Sequence, residues 1–130
     1  MRVRTTLAVA TAMVSIPLAA PVAEAASGPV GSYVLSVVPA DGLGRAVSAT
    51  LWCDPDEGTH PDPVRACDQL RRVHGEVARL PERPGPCTLE YAPVRVIAHG
   101  AWKGERRDYM RTYPNRCAAV RATGGVVFAF

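Results

Sequence analysis

Cys53 and Cys67 bracket a turn-rich run, Asp-Pro-Asp-Glu-Gly-Thr-His-Pro-Asp-Pro-Val-Arg-Ala, and Cys87 and Cys117 divide the second half of the chain. Thiols can serve as nucleophiles, metal ligands or bridges. A cysteine site with His60 would lack the Cys-x-x-Cys pairs of structural zinc centres, so no metal and no cofactor is expected. His60 lies in a turn between Thr59 and Pro61, and no serine or cysteine nucleophile with a recognisable elbow accompanies it. A structural hydrogen bond inside the loop is the better role for it. Glu76, Glu90, His99 and Arg111 are the side chains from which an acid–base site of the small secreted ribonuclease kind could be built, and they form the enzyme alternative to a reading in which the protein is no enzyme.

A second pattern is conformational. Pro81-Glu82-Arg83-Pro84-Gly85-Pro86 excludes helix and leads into Cys87-Thr88-Leu89-Glu90-Tyr91-Ala92-Pro93. Cys87 anchors this segment two residues before Leu89, and Pro93 stiffens its far side. The spacing predicts an extended, exposed loop.

Arg2 and Arg4 precede an apolar, uncharged run from Leu7 to about Val22, after which Ala23-Glu24-Ala25 supplies small residues at signal-peptidase spacing. Residues 1–25 therefore read as a secretory signal, cleaved after Ala25 or Ala26, and 26–130 as one secreted, extracellular domain. Pro17 and Pro21 interrupt the run, which falls short of the ~20 apolar residues a membrane span needs. A domain of this length buries roughly two-thirds of its unfolded surface and profits from cross-links. In an exported chain four cysteines imply two bridges, with three connectivities open. Removing Arg2, Arg4 and Glu24 from 15 basic and 12 acidic residues leaves 13 and 11, a formal charge of +2. The basic pairs Arg71-Arg72 and Arg106-Arg107 are diluted by Asp68, Glu76, Glu105 and Asp108, so neither nucleic acid nor membrane is an expected partner.

The elements that must position these residues follow from period. Ser32–Val38 and Arg45–Cys53 read as a hairpin across Ala40–Gly44. Leu70, Val73, Val77 and Leu80 recur at helical spacing, which predicts one main helix from Pro63 towards Pro81. Val94–His99, Glu105–Tyr113 and Gly125–Phe130 are the further strand candidates, with a short helical turn around Asn115–Arg121. Tyr33, Leu35, Val37, Trp52, Val96 and Phe128 are the expected sheet core. The fold class is α+β: a five-stranded antiparallel sheet carrying one main and one short helix, with two disulfides.

Several motifs resemble the Streptomyces subtilisin inhibitor family. They are Cys53-x-Pro55, Gly58-x-His60-Pro61, Ala66-Cys67-x-x-Leu70, Cys87 followed by Tyr91-x-Pro93-Val94, Trp102-x-Gly104, Tyr109, Tyr113-Pro114-Asn115-Arg116-Cys117 and Val127-Phe128-Ala129-Phe130. The resemblance spans nearly all of the mature chain. It implies pairing of Cys53 with Cys67 and of Cys87 with Cys117, and a substrate-like inhibitor of serine proteases whose reactive bond is Leu89-Glu90. It further implies protease contacts by Gly85, Pro86, Cys87, Thr88 and Tyr91, loop support by Asn115, and a homodimer packed sheet against sheet. Leucine at the specificity position favours subtilisin-like and chymotrypsin-like enzymes over trypsin-like ones, whose pocket carboxylate it would leave unpaired. Thr88 stands where the family often has proline and Gly85 is permissive, so the acyl side of the loop is expected to be looser than in a proline-bearing relative. A secreted binding module without inhibitory action is the remaining alternative.

Overall fold

The computed structural model describes residues 8–21 and 28–130. Residues 8–21 have no helix or strand and leave Val9, Met13, Val14, Ile16 and Leu18 exposed. The expected cleavage positions at Ala25 and Ala26, and the arginines at 2 and 4, lie outside the described residues. No described helix is long and apolar enough to cross a membrane.

Strands β1 (Gly31–Pro39), β2 (Val47–Cys53), β3 (Val94–Trp102), β4 (Glu105–Arg106) and β5 (Tyr109–Tyr113) form one antiparallel sheet. β1 is central, with Val37 opposite both Val47 and Val96, and β3 pairs with β1 on one edge and with β4 and β5 in succession on the other. The period-2 pattern puts Tyr33, Leu35, Val37, Leu51, Cys53, Val96, Ala98 and Trp102 on the covered face. Helices α1 (Pro63–Arg72) and α2 (Arg116–Ala122) complete the α+β fold expected from the sequence.

The details depart from the sequence reading in three places. Trp52 is 39% exposed and not core, because inward Leu51 and Cys53 force the residue between them outward. The main helix stops at Arg72 instead of running on towards Pro81. His74 (φ 53°) and Gly75 (φ 77°) take left-handed conformations, and the Gly75 amide donates to the Leu70 carbonyl at 2.8 Å, which closes the helix end. A Cβ at Gly75 would lie 2.5 Å from Trp102 Cβ, so the turn admits little else. Val77 and Leu80 still reach the core through a separate 3-10 turn over Val77–Arg79, which is why the helical spacing persists past the break. The third departure is the C-terminal segment 125–130, which forms no strand. Gly124 and Gly125 both have φ near +80° and turn the chain so that Val126, Val127 and Phe128 plug the core. Five strands result nonetheless, since the stretch expected as one strand from Glu105 is divided into β4 and β5.

The Tyr33 hydroxyl, buried in this core, donates to the Gly75 carbonyl at 2.8 Å. Burial pushes its pKa from 10.0 up to about 12, with Arg107 opposing weakly. Tyr113 is likewise pushed up to about 12, chiefly by burial and also by its Tyr109 partner. A phenol that holds its proton more tightly folded than unfolded contributes stability that is complete below pH 10 and is lost as pH rises through about 12. Thermal melts should therefore fall steeply between pH 10 and 12. Tyr33→Phe should flatten that slope while costing about 1 kcal/mol at neutral pH for the lost hydrogen bond; an unchanged alkaline slope would exclude Tyr33 as its source.

Candidate functional site

Two bridges organise the chemistry-bearing residues: Cys53 is joined to Cys67 and Cys87 to Cys117. They are the pairings the resemblance implied. The first ties β2 to α1 and closes the turn-rich run. Arg71 holds that run from the helix side, with its guanidinium donating to Asp54 at 2.7 Å, to Asp68 at 2.7 Å and to Asp56. The hydrogen bonds it donates to Asp54 and Asp56 push the Arg71 pKa upward. As a member of a basic pair, Arg71 reads in sequence as a solvated residue; its partners Asp54 and Asp56 become visible only when the loop folds back over the helix.

His60 is 4% exposed. Its Nδ1 accepts from the Asp62 amide at 3.0 Å, so the Nε2 proton is shared between the carbonyls of Val126 and Val127 at 3.2 and 3.1 Å. This is the structural role expected of it. The proposed acid–base set is not assembled. Register places Arg111 opposite inward Val96, over the Tyr113 ring, whereas His99 stands opposite Val34 on the other face beside Asp108. The cavity that Glu76 lines contains none of the other three. Cys53 and Cys67 lie near Asp56 at metal-ligand distances, but both sulfurs are consumed by the disulfide and offer no thiolate.

The segment after Pro81 is extended and exposed, as its prolines require. Leu89 is 100% exposed and Tyr91 81% exposed, while the backbone on either side is held. Asn115, itself 4% exposed, donates Nδ2–H bonds to the Thr88 carbonyl at 3.1 Å and the Glu90 carbonyl at 2.9 Å. Its Oδ1 caps α2 by accepting from the Ala118 amide at 2.8 Å. Beyond Glu90, the Ala92 amide donates to the Pro114 carbonyl, and the Pro93 carbonyl accepts from Ala40. Gly85, Pro86, Thr88, Leu89, Glu90 and Tyr91 are all exposed, with Cys87 half-buried among them and Asn115 bonded behind residues 88 and 90. Arg121 also touches this segment, a contact missed in sequence; the available signal was its position four residues, about one helical turn, after Cys117.

The structure is a small disulfide-stapled α+β domain that presents Leu89 and Tyr91 on an exposed loop braced from behind. A family model described as subtilisin inhibitor-like matches residues 31–115. The subtilase-type protease inhibitor of Streptomyces coelicolor is 38% identical, with 96% of this chain and 94% of the relative covered. Subtilisin inhibitor-like protein 4 of Streptomyces lavendulae is 47% identical over 66% of this chain and 73% of its own length. Among solved structures, Streptomyces caespitosus sermetstatin, crystallised in complex with Bacillus licheniformis subtilisin, superposes with a TM-score of 0.61 at 32% identity, covering 79% of this chain and all of that one. The chain belongs to the subtilisin inhibitor-like family.

The two functions of Asn115 can be separated. Asn115→Ala removes the cap and both loop bonds, and should cost at least about 1 kcal/mol of stability. Asn115→Asp keeps the capping oxygen but replaces the donor with a second acceptor facing two carbonyls. Its melting temperature should stay closer to the parent while exchange of the Ala92 amide, bonded to the Pro114 carbonyl, rises. Equal exchange in parent and Asp variant would show that the side-chain amide does not hold the loop.

Proposed function

We propose that this chain is a secreted inhibitor of subtilisin-like serine proteases, and of chymotrypsin-like ones, acting through the bond Leu89-Glu90. The observation that carries the reading is the pairing of a fully exposed Leu89 with backbone carbonyls on both sides of it held by one buried amide. A protease cleft takes an extended substrate with one side chain in its primary pocket. Here that conformation exists before binding, so the loss of about 0.5–1.5 kcal/mol per side chain ordered on association is largely avoided. Gly85, Pro86, Cys87, Thr88 and Tyr91 provide the remaining contacts.

The same bracing governs the fate of the bond. When the enzyme's serine attacks the Leu89 carbonyl, the leaving amine of Glu90 stays within reach, because Asn115 holds the Glu90 carbonyl and Cys87–Cys117 tethers the acyl fragment. High effective concentration then favours religation over hydrolysis. Export is supported by the apolar stretch 8–21, which contributes nothing to the core. Relatives named as inhibitors support binding, not turnover, as the activity.

Titration of subtilisin, chymotrypsin and trypsin with the mature chain tests the reading: stoichiometric inhibition of the first two is expected. Leu89→Lys should gain trypsin inhibition through an ion pair in the primary pocket. Leu89→Gly should weaken subtilisin inhibition by about 10- to 100-fold, from the burial energy of a leucine side chain. Long incubation with catalytic subtilisin should yield one slow cut with a new N-terminus at Glu90, both fragments remaining joined by the Cys87–Cys117 bridge. Rapid digestion at several bonds would make the chain a substrate only, and absence of inhibition would leave a binding module.

We further propose that the outer sheet face docks a second copy. Val34 (50% exposed), Met110 (65%) and Trp52 (39%) present apolar surface there, with Ile97 between Val34's strand and Met110. Helices cover only the opposite face. Sedimentation should give a dimer for the parent and a monomer for Val34→Arg/Met110→Arg, with subtilisin inhibition retained. A parent that stays monomeric at micromolar concentration would remove the dimer from this reading.

A further inference from the structure

Helix α2 meets the exposed segment at three levels. Asn115 at its N-cap grips residues 88 and 90, and Cys117 bonds Cys87. Arg121, four residues beyond Cys117 and on the same helix face, reaches residue 83. The Arg121 Nε and Nη2 both donate to the Arg83 carbonyl, at 2.9 and 2.7 Å, and the Arg83 amide donates back to the Arg121 carbonyl at 2.9 Å. Nη1 points at the Cys87 sulfur at 3.8 Å. A Cβ built on Gly85 would rest 3.6 Å from Arg121 Cζ, so the guanidinium lies directly beneath Gly85.

The segment needs such support. Pro84 and Pro86 have no N–H to contribute, and residues 83–86 span a crevice of about 260 Å3 lined also by Val120 and Gly125. A forked, charge-assisted pair of bonds on a single carbonyl is stronger and more directional than a neutral contact. Thr88 and Gly85 make the acyl side of Leu89 locally permissive, yet that side is pinned at residue 83 from below.

We propose that Arg121 is a positioning residue for inhibition: it holds the acyl side of the loop in the bound shape and sets the ratio of religation to hydrolysis. The proposal rests on Leu89-Glu90 being the reactive bond, and it assigns the stiffness of residues 83–87 to a side chain that lies beneath the loop. Hydrolysis of the acyl-enzyme adds water across the Leu89–serine ester; religation instead returns the Glu90 amine to the same carbonyl, and displacement of the acyl strand disfavours only the second route.

Arg121→Met keeps most of the apolar length and deletes the fork, while Arg121→Lys retains a charge with a single point of donation. Two measurements decide the matter. Hydrogen exchange of the free protein should rise by about tenfold or more at the Arg83 amide, bonded to the Arg121 carbonyl, in Arg121→Met, as loss of charged hydrogen bonds implies, while β1 and β3 amides keep the parent rates. With subtilisin, the same variant should show a raised kcat for cleavage at Leu89-Glu90 and an inhibition constant weaker by about tenfold, with Arg121→Lys intermediate in both. Parent-like loop exchange and parent-like cleavage in Arg121→Met would overturn the proposal. If the parent is cut elsewhere or fails to inhibit, the reactive-bond reading fails and the inhibitory role of Arg121 with it; the exchange data then still show whether Arg121 holds residues 83–87.

Discussion

The side-chain amide of Asn115 has one acceptor and two donors, and the fold gives each a fixed task. Its oxygen satisfies an orphan N–H in the first turn of α2, so its nitrogen is directed at the carbonyls of Thr88 and Glu90. The reverse orientation would set an NH2 group against the Ala118 N–H, donor facing donor. Helix capping therefore locks the direction in which the loop is held. Because the residue is buried, water offers no alternative partner to either end. A helix of seven residues has little stability of its own, and its existence depends on the cap, the Cys117 bridge and the packing of Ala119 into the core.

That helix needs a firm base, and the base is assembled from distant sequence. Immediately after α2 the chain turns and buries Val126, Val127 and Phe128. Their segment forms no ladder; the Val126 carbonyl accepts from the Ala129 amide, and His60, from inside the run bracketed by Cys53 and Cys67, supplies a donor shared by carbonyls 126 and 127. Arg71 and the first disulfide fix that run to β2 and α1. The first disulfide thus bears on the loop 20 residues beyond Cys67, through His60, the C-terminal plug and α2.

Local sequence and tertiary support have opposite tendencies in the exposed segment. Gly85 and Thr88 permit motion, and the prolines remove donors that could have fastened the strip to a neighbour. Stiffness comes instead from side chains of α2, spaced so that one short helix reaches residues 83, 87, 88 and 90. Between residues 83 and 90 only Cys87 is half-buried, and Leu89 is fully exposed.

Much of this was legible in the chain. Alternation in residues 32–38 and 94–99 determined two of the strands, the prolines from 81 to 86 determined an irregular exposed segment, and the motif around Asn115 pointed to the residue behind it. What sequence period could not decide was where a pattern changes backbone. Val73, Val77 and Leu80 keep helical spacing across a break made by two left-handed residues, the second of them packed on Trp102, and Val126–Phe128 are as apolar as a strand but serve as a plug. Trp52 reads as core because it falls in a strand-patterned segment; its face was decided by the inward neighbours on either side. Beyond the local contacts with Asp68 and Asp62, the partners of Arg71, His60 and Arg121 are carbonyls and carboxylates 15 to 67 residues away. Such contacts leave no periodic trace, because a backbone carbonyl is the same at every position and only the folded chain brings a particular one within 3 Å of a donor.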